Sequence, residues 1–471
     1  MSIDWPTFGL DLHLEIDPGA GRRAGLERAL RSAVRDGRLA PDTRLPATRR
    51  LADELGLARG TVRAAYDQLI AEGYLTARPG AGTVVAGFVR PGPDGTAADA
   101  VLAPVRPRHD LRPGSPDVST FPTAAWLRSA RRALTAAPSE VYGYGDPRGQ
   151  IELRTALAEY LGRTRGVLAR PGQIVITNGY VQALALLTRA LGPAVIALED
   201  PGVANHREVV RHNGARVVPL PVDELGARTD LLDSLEVDAV EVSPAHQYPT
   251  GHTLTAARRR ALVDWAREDG GLVIENDYDG EFRYDRQPVG AVQGMAPDHV
   301  AYVGTVSKTL APALRLGWMV VPHRLLEPVI EAKRLADHHT EALGQLTLAD
   351  FITGHGYDRH VRACRLRYRR RRDLLLARLR PLTDGLPPGL TVHGIAAGLH
   401  VLIRMPDGGP TEGDVLREAA AHEVAIGRLA DRWHAPGDHP QGIIVGYGTP
   451  PGNAYSAALD ALHDTLRQLV P

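Results

Sequence analysis

The chain has 471 residues, too many for one ordinary domain and enough for two or three. Its 55 Lys and Arg balance 55 Asp and Glu, so no global field marks a nucleic-acid or membrane binder, and any such function must be local. A single cysteine, Cys364, excludes an intrachain disulfide framework and a clustered thiolate zinc site; without a signal-peptide pattern or a run of about 18 apolar residues, the expectation is a soluble, cytoplasmic protein with no membrane partner.

The first block, residues 11–86, reads as a winged helix-turn-helix. A first helix over about Gly21 to Asp36 carries Leu26, Leu30 and Val34 at helical spacing. Leu45 to Gly56 follows, with a helix starting near Ala47 or Thr48 and Gly56 at its C-terminal turn. A third helix starts after Ala58. Its first turns expose Arg59, Thr61 and Arg63, while Val62, Tyr66 and Leu69 form its buried stripe, as in a recognition helix that presents its N-terminal side chains to base edges. Two short apolar runs around Pro79-Gly80-Ala81-Gly82 make a two-stranded wing. Through residue 90 there are 13 Arg against 11 Asp and Glu, a net of only +2, but Arg44, Arg49, Arg50, Arg59, Arg63 and Arg78 cluster where groove and phosphate contacts fall. With Thr61, Gly80 and Gly82 they are the candidate contacts to a double-stranded DNA operator. A protein-binding winged helix is the other reading. The block resembles the GntR family of bacterial regulators.

Residues 87–116, rich in Pro, Gly, Ala and Asp, read as a linker; the alternative is an ordered arm anchored by Val101, Leu102 and Val105. From Phe121 onward, helical segments alternate with apolar runs at 174–176, 195–198, 239–242 and 272–274, which implies a largely parallel α/β sheet over residues 117–471. The run Arg365 to Arg372 reads as one exposed helix face.

The motifs of this second block follow its strands. Tyr142 to Gly149 precedes a helix. Thr177-Asn178-Gly179-Tyr180 is a small polar turn from strand into helix, able to offer free N–H groups and a helix dipole to a phosphate. Ser243 to Gly251, with His246, and Glu275 to Tyr284, with Asn276, Asp277 and Tyr278, also stand after strands, at the carboxyl edge where α/β sheets bind ligands. Last comes Thr305-Val306-Ser307-Lys308, with Arg315 seven residues beyond the lysine. Lys308 and Lys333 are the chain's only lysines, so an amine in a small-residue loop suggests a need that arginine cannot meet, namely a Schiff base with an aldehyde. Lys333, in the polar run Glu331-Ala332-Lys333-Arg334, reads as a solvated surface lysine. Asp277, Asp279 and Glu281 lack the remaining positions of a calcium loop, and no metal site is assigned.

Together these motifs resemble the PLP-binding domain of fold type I aminotransferases, and the whole chain resembles the MocR subfamily of GntR regulators, whether PdxR-like or GabR-like. The fold class expected is therefore α/β, a winged helix-turn-helix followed by a fold type I aminotransferase-like domain. Its large domain would span about 160–345, and its small domain about 350–471 with the N-terminal segment. The resemblance implies pyridoxal 5'-phosphate as cofactor, a Schiff base at Lys308, and phosphate contacts from Asn178, Gly179, Tyr180, Thr305, Ser307 and Arg315. It also implies a Tyr278 hydroxyl on the phenolate, and a homodimer in which Tyr144 reaches the partner's phosphate; core packing is the other reading of Tyr144. Three departures bear on turnover. The family's acid two residues before the tyrosine is Asn276, with Asp277 as substitute only if the turn shifts by one residue. Val203 stands where an aromatic or His usually stacks on the ring, leaving His246 or Tyr180 to cover it. No Arg occurs in Gly442 to Gly448 to hold an α-carboxylate, and Arg428 and Arg432 are nearby with no place assigned. The expectation is a regulator sensing PLP or a small amine without an α-carboxylate; the alternative is an active aminotransferase with a DNA-binding appendage.

Overall fold

The computed structural model describes residues 21–78, 82–87, 107–285, 289–383 and 389–469, and the chain divides into two compact units at residue 105. In the first unit, α1 (Arg22–Arg35), α2 (Thr48–Leu55) and α3 (Arg59–Ala71) precede a hairpin of β1 (Leu75–Arg78) and β2 (Gly82–Val85). Leu26, Leu30, Leu51, Val62, Tyr66 and Leu69 meet in one core. Each such side chain contributes roughly 1.5–3 kcal/mol by burial. Gly56 ends α2 in the left-handed region at φ 62°, and its N–H donates to Ala52 O, which turns the chain into α3. In the hairpin, Arg78 faces Gly82 across the antiparallel register.

The second unit begins with β3 (His109–Asp110), then α4 (Thr123–Ala136) and α5 (Ile151–Arg165). An α/β alternation follows: β4 (Ile174–Thr177), α6 (Tyr180–Leu191), β5 (Val195–Asp200), α7 (Ala204–His212), β6 (Arg216–Asp223), β7 (Gly226–Ala227), β8 (Ala239–Val242), α8 (Ala256–Glu268), β9 (Leu272–Asp277), β10 (Val300–Thr305) and β11 (Gly317–Val320). These strands form one sheet in the order β4-β11-β10-β9-β8-β5-β6-β7. Its β10-β9-β8-β5-β6 run is parallel, and β11 is antiparallel to both neighbours. Alternate residues therefore enter different cores: Ile176, Tyr302 and Trp318 pack with α5, whereas Val175, Ile274, Val303 and Met319 pack with α6. All the residues of β4, β8, β9 and β10 are buried, so their charged and amide residues, Glu241, Glu275, Asn276 and Asp277, stand out against an apolar sheet.

After α9 (His323–Asp337), α10 (Ala342–Thr353) and α11 (Gly356–Thr383), a second sheet is built from β12 (Thr391–His393), β13 (His400–Arg404), β15 (Gly427–Arg428) and β16 (Gly442–Gly446), with α12 (Glu412–Ala421) and α13 (Tyr455–Arg467) beside it. The short strand β14 (Val424–Ala425) pairs in parallel with β3. Of the segment read as a linker, residues 88–106 lie outside the described residues, and with them the suggested anchors Val101, Leu102 and Val105. Residues 107–116 of it are built into the second unit, with Leu111 fully buried.

Two readings of charged residues are corrected. Lys333 is fully buried, its ammonium donating to Asp337 Oδ1 at 2.5 Å and Thr340 Oγ1 at 2.9 Å, because this face of α9 turns inward. Asp337 in turn accepts from Asn178 and Gln182, so the chain's second lysine braces the turn into α6. Arg371 is also buried, donating to Asp117 Oδ2 at 2.7 Å; the arginine run on α11 is not a single exposed face.

Candidate functional site

In the first unit, Arg44, Arg49, Arg50, Arg59, Arg63 and Arg78 are all exposed, and Thr61 is half-buried. Arg44 lies against Gly82, whose φ of 81° favours glycine, so wing and loop present their cations together. Arg50 pairs with Glu54 and Arg78 with Asp42. Gly80 lies outside the described residues.

In the second unit a cavity of about 740 Å³ opens at the carboxyl edge of the large sheet. Register builds it. Thr177 of β4 faces Gly317 of β11, which faces Thr305 of β10, so the turn after β4 and the loop after β10 meet. A side chain at Gly317 would collide with the Gly179 backbone at 2.9 Å. From this edge Lys308, Thr305, Ser307, Arg315, Tyr180, Asn276 and Tyr278 line the cavity, together with Val203 and His206.

One end suits an anion. The Thr305 and Ser307 hydroxyls are 2.9 Å apart, and the Arg315 guanidinium donates to the Asn178 carbonyl while lying 3.2 Å from where a Cβ at Gly179 would stand. Gly179, at φ 91°, opens α6, whose first N–H groups have no acceptor within the helix. Asn178 contributes only its carbonyl, because its side chain donates to Asp337 at 2.9 Å.

Lys308 is half-buried and donates to the Gly114 carbonyl on the segment after β3. Burial lowers its pKa, against the opposing charge of Asp279, which enlarges the neutral fraction able to attack a carbonyl. The Tyr278 hydroxyl lies 3.2 Å from His246 Nδ1, and that nitrogen is 2.8 Å from Asp279 Oδ2. His246 thus stands behind Tyr278, between it and Asp279; Tyr180 is in the wall, its ring 4.6 Å from that of His206.

Asp277 is also corrected. Strand alternation turns it to the α5 face, where it accepts from Arg165 Nε and from the Tyr302 hydroxyl, each at 2.6 Å. No shift of the turn brings it to the cavity. Asn276 faces the cavity instead, and its Nδ2 donates to Glu241 Oε1 at 3.1 Å. Tyr144 is 88% exposed, its ring against His338 at 5.1 Å, so it is not a core residue.

Arg428 and Arg432 now have a place: both line the cavity, as does Arg112 from the segment after β3. Arg428 is held by Glu412 at 3.1 Å and Arg112 by Asp110 at 2.6 Å. Guanidinium groups thus do line the cavity, against the expectation drawn from the missing Arg in Gly442 to Gly448. Sequence reasoning missed Glu241, His206, Arg112 and Gly114. A charged residue inside the apolar run 239–242 was the available signal for Glu241; the others are brought in by tertiary contact.

The donor set fits pyridoxal phosphate: an amine of lowered pKa, hydroxyls, a guanidinium and a helix start for a phosphate, and at Asn276 Oδ1 a buried acceptor without a hydrogen-bond partner among the described residues.

Comparison with known proteins matches each of the two units to a family. Residues 23–85 match the model for bacterial regulatory proteins of the gntR family, and residues 111–426 that for aminotransferase class I and II. The chain is 32% identical to the probable rhizopine catabolism regulatory protein MocR of Rhizobium meliloti, over 93% of this chain and 92% of that one. It is 31% identical to the pyridoxine biosynthesis transcriptional regulator PdxR of Corynebacterium glutamicum, over 90% and 91%. Among solved structures, the kynurenine aminotransferase of Pyrococcus horikoshii, crystallised with PMP, superposes with a TM-score of 0.70 at 25% identity, covering 78% of this chain and 92% of that chain.

Proposed function

The chain belongs to the MocR subfamily of GntR-type transcriptional regulators, and from that premise we propose that it controls transcription in response to pyridoxal phosphate, or to a small amine that reacts with it, held at Lys308. When bound, the cofactor supplies an aldehyde that condenses reversibly with amines and a ring that withdraws electrons. The chain's residues supply the rest. Lys308 is the attachment amine. Thr305, Ser307, Arg315 and the turn at Gly179 hold the phosphate, and Tyr278, kept in place by His246, donates to the phenolate oxygen. Tyr144 serves the partner subunit of a homodimer, and its exposed ring is the observation behind that assignment. Arg112, Arg428 and Arg432 at the cavity wall suit an amine that carries an anionic group. The observation that carries the proposal is Lys308 itself, an amine of depressed pKa beside an anion cradle.

The lowered pKa sets a pH dependence. The neutral amine is the attacking form, so cofactor association accelerates as pH rises and levels off below the ordinary lysine range. Stopped-flow absorbance reads this directly; a rate still climbing through the ordinary lysine range contradicts it.

In the first unit, Arg59, Thr61 and Arg63 read base edges, while Arg44, Arg49, Arg50, Arg78 and the wing glycines Gly80 and Gly82 follow the phosphates. Arg59→Ala should weaken operator binding by about 1–3 kcal/mol and relax specificity at one position, as measured by fluorescence anisotropy on a set of operator variants. A uniform loss across all variants would reassign Arg59 to the backbone.

The decisive experiment combines the two units. The purified protein is examined for visible absorbance with pyridoxal phosphate, then for binding to the DNA upstream of its own gene with and without it. The regulator reading expects both binding events and a cofactor-dependent change in the second. Steady conversion of an amine with a keto acid acceptor would favour an aminotransferase instead.

A further inference from the structure

The Asn276 amide donates to Glu241, and its other end has no partner among the described residues. Glu241 Oε1 receives Asn276 Nδ2 at 3.1 Å, the Tyr180 hydroxyl at 2.7 Å and His206 Nδ1 at 3.1 Å. The pairing follows from the sheet: Glu241 is opposite Ile274 in the β8–β9 register, so Asn276, two residues on, shares its face. Burial pushes the Glu241 carboxyl up, but the His206 ring and the three hydrogen bonds outweigh it and hold it below the usual carboxylate range. The neighbouring acid Glu199 moves the other way, to about 8, through burial and the Glu241 charge, so one proton and one negative charge are shared between two roles. An ionised carboxylate only accepts, so it dictates that the amide nitrogen faces it. Asn276 Oδ1 then has no partner among the described residues, and a buried acceptor left so costs roughly 1–3 kcal/mol.

We propose that Glu241, acting through Asn276, holds a proton on the ring nitrogen of the bound cofactor, replacing by a two-residue relay the carboxylate that the sequence lacks at position 276. Asn276 Oδ1 accepts from an N–H and repels a lone pair, so it selects the protonated ring. Glu241 locks the amide in that orientation and supplies the negative charge that an amide lacks. Glu241 is a positioning residue: it touches Asn276, Tyr180 and His206. The inference rests on the cofactor reading above.

The test uses the full chain loaded with pyridoxal phosphate labelled with 15N in the ring, observed by NMR at neutral pH. The parent should give a protonated ring nitrogen. Glu241→Gln keeps the size and one acceptor oxygen but removes the charge; it should keep the visible band and move the resonance toward the unprotonated position. Asn276→Ala should move it the same way, which keeps the test open if Glu241→Gln folds poorly. The double variant Glu241→Gln with Asn276→Asp should restore the protonated resonance. A bound cofactor whose resonance is the same in the parent, Glu241→Gln and Asn276→Ala overturns the relay. A parent that takes up no cofactor, and shows no visible band, overturns the reading beneath it and the relay with it.

Discussion

Lys308→Ala should abolish the visible absorbance that the protein gains with pyridoxal phosphate and leave its DNA binding indifferent to the cofactor. The effect is close to all-or-none because nothing else can substitute. Arginine does not condense with aldehydes, and the only other lysine, Lys333, is fully buried and committed to Asp337 and Thr340. What remains is noncovalent binding by Arg315, Thr305 and Ser307, weaker by roughly two orders of magnitude, or about 3 kcal/mol. The fold should be little affected: Lys308 is half-buried and its hydrogen bond to the Gly114 carbonyl contributes about 1 kcal/mol. Absorbance titration followed by dialysis measures the first effect, and circular dichroism checks the second. A variant that retains the visible band through dialysis would sink the assignment.

Asp277→Asn should have its effect on stability instead. Asp277 and Arg165 each expose only 3% of their side chains, and the pair is completed by the Tyr302 hydroxyl. Removing the negative partner leaves a buried guanidinium uncompensated, at a cost of about 3–5 kcal/mol. Chemical denaturation should show the transition of the second unit at markedly lower denaturant, while the spectrum of any protein still folded is unchanged. Asn276→Ala, one residue earlier, is expected to do the reverse and change the protonation of the bound cofactor's ring with little loss of stability, because Glu241 keeps Tyr180 and His206 as partners. If Asp277→Asn instead changed the spectrum and spared stability, the acid would belong to the cofactor after all.

Much of the winged helix was legible because its determinants are local. Gly56, the Val62-Tyr66-Leu69 stripe and the runs around the wing each act within a few residues, and the helices and hairpin fall where those features lie. The strands at 174, 195, 239 and 272 were legible for a similar reason, since strands covered on both faces read as short apolar runs. Lys333 and Arg371 were misread because polarity along a helix says little about which turn faces inward once a buried partner is available. The segment 107–116 was compositionally a linker, yet a two-residue strand and one buried leucine bind it to the second unit.

By itself the sequence determined the two-unit organisation, the order of the loops at the sheet edge and the one lysine among them, because each depends on chain order or residue chemistry. Tertiary structure alone decided the sharing of roles between Asn276 and Asp277. The pleat sends consecutive side chains to opposite faces, so one of them meets the cavity and Glu241 while the other meets Arg165. It also decided what Asn276 is worth. An amide read in isolation is a weak partner for a charged ring, whereas an amide fixed from behind by a buried carboxylate carries part of that carboxylate's field to the cavity.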